Sequence, residues 1–239
     1  MLDDHHINQQ TDADALARAA EQWFIDTVRA GSDRIAVCLT GGSTPERLYR
    51  LLQAVDLPWE RIHVFLSDER FVPPDDPRNN MSMARRALLD HVAIPTNNVH
   101  AISTETSSPE ESARLYEAEL KAFYGADRLD PERPLFDLVL NGMGDDGHTA
   151  SLFPGSPALV EAERWAVAAD AGMEPHVPRV TLTFPVLESC RASGFLVSGA
   201  SKAVALDRVR KGEHVPAARL KPVGRLTWFI DRAAAGEQR

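Results

Sequence analysis

Short apolar runs alternate along this chain with longer segments whose apolar residues recur every three to four positions, a pattern that predicts strands and helices in turn. Asp12 is placed to cap a helix in which Leu16, Ala19, Ala20, Trp23, Phe24, Thr27 and Val28 recur at helical spacing, and Gly31 stops it. Ile35–Leu39, Ile62–Leu66 and Phe136–Leu140 read as buried strands, and Val180–Thr183, Gly194–Val197 and Leu226–Ile230 as later ones. Further helices are predicted from about Pro45 to Gln53, over Ser82–His91, from the capping box Ser108-Pro109-Glu110-Glu111 toward Tyr124, and over Lys202–Arg210. Such alternation implies an α/β fold: a doubly wound, largely parallel sheet flanked by helices, a Rossmann-like three-layer sandwich. No linker, internal repeat or low-complexity tract divides the chain, so residues 1–239 are expected to form a single domain. The loop Asp170–Pro178, with Gly172, Pro175 and Pro178, is a candidate mobile flap.

Charge narrows the partners. With 26 Lys and Arg against 35 Asp and Glu, the net charge is −9, which disfavours nonspecific binding to nucleic acid or an anionic membrane. An anionic ligand must therefore be captured by local donors. Cys38 and Cys190 lie in apolar, strand-like segments and are expected to be buried free thiols, in keeping with a reducing cytoplasm. The opening Met1-Leu2-Asp3-Asp4-His5-His6 has no secretion-signal pattern, and no apolar run approaches membrane-spanning length.

Candidate chemistry concentrates where strands end. After Phe136–Leu140 comes Gly142-Met143-Gly144-Asp145-Asp146-Gly147-His148, in which glycines permit close backbone approach and an imidazole can move a proton near neutral pH. Gly142-x-Gly144-x-x-Gly147 also matches the dinucleotide fingerprint, but Asp145 and Asp146 would crowd a pyrophosphate with like charge. A plain turn with a capping aspartate is the bland alternative. Thr40-Gly41-Gly42-Ser43-Thr44-Pro45-Glu46 joins a strand to a helix, and its open amides suit a phosphate, although Ser43 and Glu46 also have capping-box spacing. Ser67-Asp68-Glu69-Arg70 follows another strand, and Arg70 offers a fork to phosphate unless the segment is simply a solvated loop. Arg179 and Lys202 stand near further element ends; each alone is commonly a surface charge, and together they can hold an anion. A metal site from Asp68, Glu69, Asp145, Asp146 and His148 lacks any supporting His-x-x-x-His or Cys-x-x-Cys pair, so no metal or cofactor is expected.

These segments together resemble the 6-phosphogluconolactonases, in the fold group that includes the glucosamine-6-phosphate deaminases. The resemblance covers nearly the whole chain and rests on ordered motifs: Thr40–Pro45, Ser67–Pro73, Asn79-Asn80, Asn141–Gly155, Pro178–Thr181, Gly199–Ala203 and Leu226–Asp231. The deaminases share the Gly-Gly-Ser-Thr-Pro turn and a Gly-x-Asp-Gly-His loop. They follow that histidine with an Asn-Glu-Pro-Gly stretch, where this chain has Ser151-Leu152-Phe153-Pro154-Gly155. Asn141, Thr40 and Asn79 are small departures from the lactonase pattern.

The resemblance implies hydrolysis of 6-phospho-D-glucono-1,5-lactone, a small phosphorylated sugar lactone, in the oxidative pentose phosphate pathway. His148 is the expected general base, Asp146 orients it, and a loop amide or Asn80 steadies the oxyanion. Gly41, Gly42, Ser43, Thr44, Asp68, Arg70, Asn80, Arg179 and Lys202 are the expected substrate-binding residues. A noncatalytic phosphosugar sensor is the competing reading from another class.

Overall fold

The computed structural model describes residues 6–31 and 33–237; the segment Met1–His5, on which most of the signal-peptide reading falls, lies outside them. In chain order the elements are β1 (His6–Gln10), α1 (Ala13–Ala30), β2 (Ile35–Leu39), α2 (Ser43–Leu52), β3 (Ile62–Leu66), β4 (Asp68–Arg70), α3 (Asn80–Ala87) and α4 (Pro109–Tyr124). They continue with β5 (Phe136–Asn141), β6 (Ala166–Ala169), β7 (Arg179–Leu182), α5 (Phe184–Glu188), β8 (Cys190–Val197), α6 (Ala203–Arg210), α7 (Pro216–Arg219) and β9 (Arg225–Asp231).

Six strands form one sheet in the order β1-β9-β8-β5-β2-β3, and every neighbouring pair is parallel. The sheet is flanked by helices in a three-layer α/β sandwich. From β2 the chain first adds β3 on one side and later β5 on the other, so the winding reverses between β2 and β5. Open α/β sheets bind ligands outside the carboxyl ends of the strands at such a reversal. A second sheet, β4-β7-β6, is antiparallel. Ser67 joins the two: its N–H donates to Leu39 at the end of β2, and its carbonyl accepts from Leu182 at the end of β7, both at 2.8 Å.

Buried tyrosines finish the strands beside the reversal. The Tyr49 hydroxyl donates to the Thr40 carbonyl at 2.8 Å and accepts its N–H at 3.0 Å, while Tyr116 does the same for Leu66 at 2.9 Å each. Backbone groups left unpaired at a buried strand end cost a lost hydrogen bond each, so these phenols fix both ends. Beneath them Phe65, Phe136, Phe195 and Trp228 belong to one apolar cluster, joined from α1 by Leu16, Ala20, Phe24 and Val28.

Several expectations need correction. Val180 and its neighbours form a strand in the small antiparallel sheet, not in the parallel one. Asp68–Arg70, for which a solvated loop was the alternative to a ligand-binding segment, is a strand, and β1 and β6 lie outside the predicted strands. The helix expected over Ser82–His91 starts earlier, at Asn80, and gives way at Leu88 to a tighter turn over Leu89–His91. Ser43 does not cap α2: Gly42, at φ 111°, takes that position with no side-chain bond, and Glu46 pairs with Arg50 instead. Asp12 and Ser108 cap α1 and α4 as predicted, and Cys38 and Cys190 are buried and free. Among the described residues, no helix is long and apolar enough to cross a membrane.

Candidate active site

A cavity of about 240 Å³ opens at the reversal point. Thr40, Gly41 and Gly42 reach it from the end of β2, Gly142, Met143, Gly144, Asp145 and His148 from the end of β5, and Asp68, Arg70 and Arg179 from the small sheet. Asn80 at the start of α3, Lys202 before α6, and Ala150, Met173 and Glu174 from loops complete its wall. Eight expected site residues thus converge, from segments distant in sequence. Ser43 and Thr44 are not among the lining residues; they form the first turn of α2, and Ser43 is exposed on a groove with Asp14 and Arg47. Thr40, Met143, Ala150 and Met173 carry no distinctive chemical signal in the sequence, and Glu174 sits in the segment read only as a flap.

At one end of the cavity, His148 Nδ1 lies 2.6 Å from Asp146 Oδ1, which also accepts the His148 backbone N–H at 3.0 Å. A carboxylate can only accept, so Nδ1 carries the proton and the neutral ring presents Nε2 as its acceptor. Burial alone would raise the Asp146 pKa, but the hydrogen bonds from the His148 ring and backbone N–H hold it below the ordinary value. The carboxylate is therefore ionised near neutrality. The ring leans on Phe153, with centroids 4.5 Å apart. Gly144 is required here because a Cβ on it would overlap Cε1 and Nδ1 of His148 and come within 2.8 Å of Asp146 Oδ1. No helix follows this loop, which runs into a Thr149–Leu152 bridge, so the dinucleotide fingerprint lacks the helix N-terminus that would receive a pyrophosphate.

The other end is cationic. Arg179 is only 3 % exposed. Its Nη2 donates to the carbonyl of Pro175 at 3.0 Å, and its guanidinium lies 5.5 Å from the Phe153 ring centroid. The expected flap is therefore tied to this arginine. Burial lowers the Arg179 pKa, opposed by Asp68, but a guanidinium stays charged in proteins. Arg70 Nη1 donates to the Arg78 carbonyl at 2.8 Å. The Nε atoms of Arg70 and Arg179 are both buried without an acceptor. Orphaned donors on two cations at one cavity favour an oxyanion between them. Lys202 bonds Asp145 at 2.6 Å at the rim.

The carboxylates considered and set aside for a metal go separate ways. Asp145 takes Lys202, Asp146 takes His148, and Asp68 accepts the Ser151 hydroxyl at 2.7 Å. Glu69 turns inward and binds backbone amides. Among the described residues, no three His, Cys, Asp or Glu side chains are placed to hold a metal ion. Asn80 gives one amide N–H to the Asp68 carbonyl at 2.9 Å, which leaves its second N–H for a ligand.

Comparison with known proteins agrees with this architecture. A family profile described as "Glucosamine-6-phosphate isomerases/6-phosphogluconolactonase" matches residues 11–228. A 6-phosphogluconolactonase of Synechocystis sp. is 44 % identical over 202 residues, covering 83 % of this chain and 82 % of that protein. The Homo sapiens 6-phosphogluconolactonase is 36 % identical over 230 residues, covering 92 % and 87 %. The crystal structure of 6-phosphogluconolactonase from Thermotoga maritima superposes with a TM-score of 0.84 at 31 % identity, over 95 % of this chain and 99 % of that one. A monomeric glucosamine-6-phosphate deaminase shares the fold, with a TM-score of 0.82 at 21 % identity. On sequence and fold together, the chain belongs to the glucosamine-6-phosphate isomerase/6-phosphogluconolactonase family.

Proposed function

We propose that this chain hydrolyses 6-phospho-D-glucono-1,5-lactone to 6-phosphogluconate, the lactone-opening step of the oxidative pentose phosphate pathway. The observation that carries the reading is the pairing of His148 Nδ1 with Asp146 at 2.6 Å, in the same cavity as two arginines with unmatched donors. Nε2 of His148 takes a proton from water as its oxygen bonds to C1 of the lactone. The tetrahedral intermediate collapses, the bond from C1 to the ring oxygen breaks, and the imidazolium returns its proton to that oxygen. The carboxylic acid product then ionises. Asp146 stabilises the imidazolium between the two steps, and the amides of the glycine-rich loop are the available donors for the oxyanion. Arg70 and Arg179, with Lys202 released from Asp145, hold the phosphate or the far hydroxyls and fix C6 relative to C1.

A coupled assay on freshly generated lactone, corrected for spontaneous hydrolysis, tests the activity. Catalytic amounts of protein are expected to accelerate opening. Ammonium release from glucosamine 6-phosphate is expected to be absent, because Ser151 stands in the segment where the deaminases carry Asn-Glu-Pro-Gly and spends its hydroxyl on Asp68. Phosphosugar binding without turnover would favour the sensor reading.

A further inference from the structure

Glu69 is fully buried, with 0 % of its surface exposed, and among the described residues no Lys, Arg or His side chain forms an ion pair with it. A buried carboxylate is costly unless hydrogen bonds replace its water. Here three backbone amides do so. Oε1 accepts the N–H of Arg70 at 2.8 Å and of Asn80 at 2.6 Å, and Oε2 accepts the N–H of Met81 at 2.8 Å.

These amides belong to different walls of the cavity. Arg70 lies on β4, whereas Asn80 and Met81 form the first turn of α3, so Glu69 closes the excursion of residues 71–79 into a ring. Arg70 acts inside that ring, since its Nη1 donates to the Arg78 carbonyl at 2.8 Å. Asn80 carries the brace further. Its Nδ2 donates to the Asp68 carbonyl at 2.9 Å, and its Oδ1 fills the volume that a Cβ on Gly41 would occupy. One side chain thus sets Arg70, Asn80 and the Gly41 turn relative to each other. Asn79, by contrast, lies within that excursion, and its side chain accepts only the Ser82 N–H.

We propose that Glu69 is a positioning residue for the anion-binding end of the site, holding Arg70 and Asn80 against the Gly41 turn without taking part in lactone opening. The proposal rests on the functional reading above only for the identity of the substrate; its geometric content is the affinity for a phosphate group.

The test compares Glu69→Gln with Asn79→Ala. Inorganic phosphate binding by calorimetry, lactone KM and kcat, and Tm are measured for both. Glu69→Gln is expected to raise the phosphate Kd and the KM at least about fivefold with kcat within about twofold, since the roughly 1 kcal/mol of one hydrogen bond is a factor of about five. Asn79→Ala is expected to lower Tm while leaving Kd and KM within about twofold. A Glu69→Gln protein that loses Tm but keeps both affinities would reduce Glu69 to a helix cap and overturn the proposal. So would loss of kcat at unchanged KM. Should Glu69→Gln fail to fold, Asn80→Ala cuts the brace one link later, and an unchanged phosphate Kd there overturns it equally. Wild-type protein that binds phosphate but does not open the lactone would sink the functional reading while the phosphate Kd still decides the role of Glu69. Wild type that binds neither would overturn both.

Discussion

Arg70 and Arg179 stand directly opposite one another in the antiparallel pairing of β4 with β7. Like charges in that relation repel, and here both guanidiniums also keep a buried Nε without an acceptor. Burial lowers the Arg179 pKa, and Asp68, two residues from Arg70 on the same strand, opposes that fall. Both guanidiniums line the cavity, where an anion would offset their repulsion.

Arg179→Ala is therefore expected to raise the lactone KM about 10-fold or more with a smaller change in kcat, the consequence of losing roughly 1.5–3 kcal/mol of charge-assisted bonding. Steady-state kinetics check it. An unchanged KM would place Arg179 outside the substrate's reach.

Asp146→Asn should leave the fold and KM nearly intact and lower kcat by about 100-fold or more. An amide in place of the carboxylate no longer selects the Nδ1–H tautomer and no longer steadies the imidazolium. The measurement is kcat alongside Tm, and a kcat within about twofold of wild type would remove Asp146 from the mechanism.

Gly144→Ala tests the packing of the same ring. The added methyl must displace the His148 imidazole, whose Nδ1 and Cε1 occupy its place. Displacement of a catalytic group by about 1 Å costs on the order of 100-fold in rate, so kcat is expected to collapse while phosphate affinity, set at the other end of the cavity, persists.

The pH dependence of stability carries a signature of Glu69. Burial pushes its carboxyl up to about 7, although three backbone amides oppose the rise, and Asp68 adds to it. Tyr116 and Arg179 also face it. The folded state then holds this proton more tightly than the unfolded state, so the contribution of Glu69 is greatest below the ordinary carboxyl range and is lost as pH rises through about 7. Wild type is expected to lose on the order of 2 kcal/mol more than Glu69→Gln between pH 5 and pH 8 in urea unfolding. Parallel curves for the two proteins would contradict this.

What could be read from the sequence followed physical signal strength. Ile35–Leu39 and Ile62–Leu66 were legible to the residue because uninterrupted apolar runs have few alternatives to a buried parallel strand. Asp68-Glu69-Arg70 was not legible as a strand, since its charges are satisfied only by tertiary partners: the Ser151 hydroxyl and the amides of Asn80 and Met81. The alanines of β6 and the polar residues of the edge strand β1 likewise carry little periodic signal. Within the site, His148 and Asp146 were legible from their spacing within a glycine-rich strand end. The alternative reading of Ser43 as a helix cap fails because the positive φ of Gly42 moves the helix boundary by one residue. The inward turn of Glu69 had no sequence signature, for an acid between two charged neighbours looks solvated until its partners are seen.

The central claim is that His148 is the base that opens the lactone, and one comparison tests it most directly. Purified wild type and His148→Ala are assayed on freshly generated 6-phosphogluconolactone, with spontaneous hydrolysis subtracted and 6-phosphogluconate binding measured for both. The account predicts that the variant binds 6-phosphogluconate with an affinity close to that of wild type and accelerates opening by less than about one-hundredth of the wild-type rate. Turnover within a few fold of wild type in His148→Ala would contradict it.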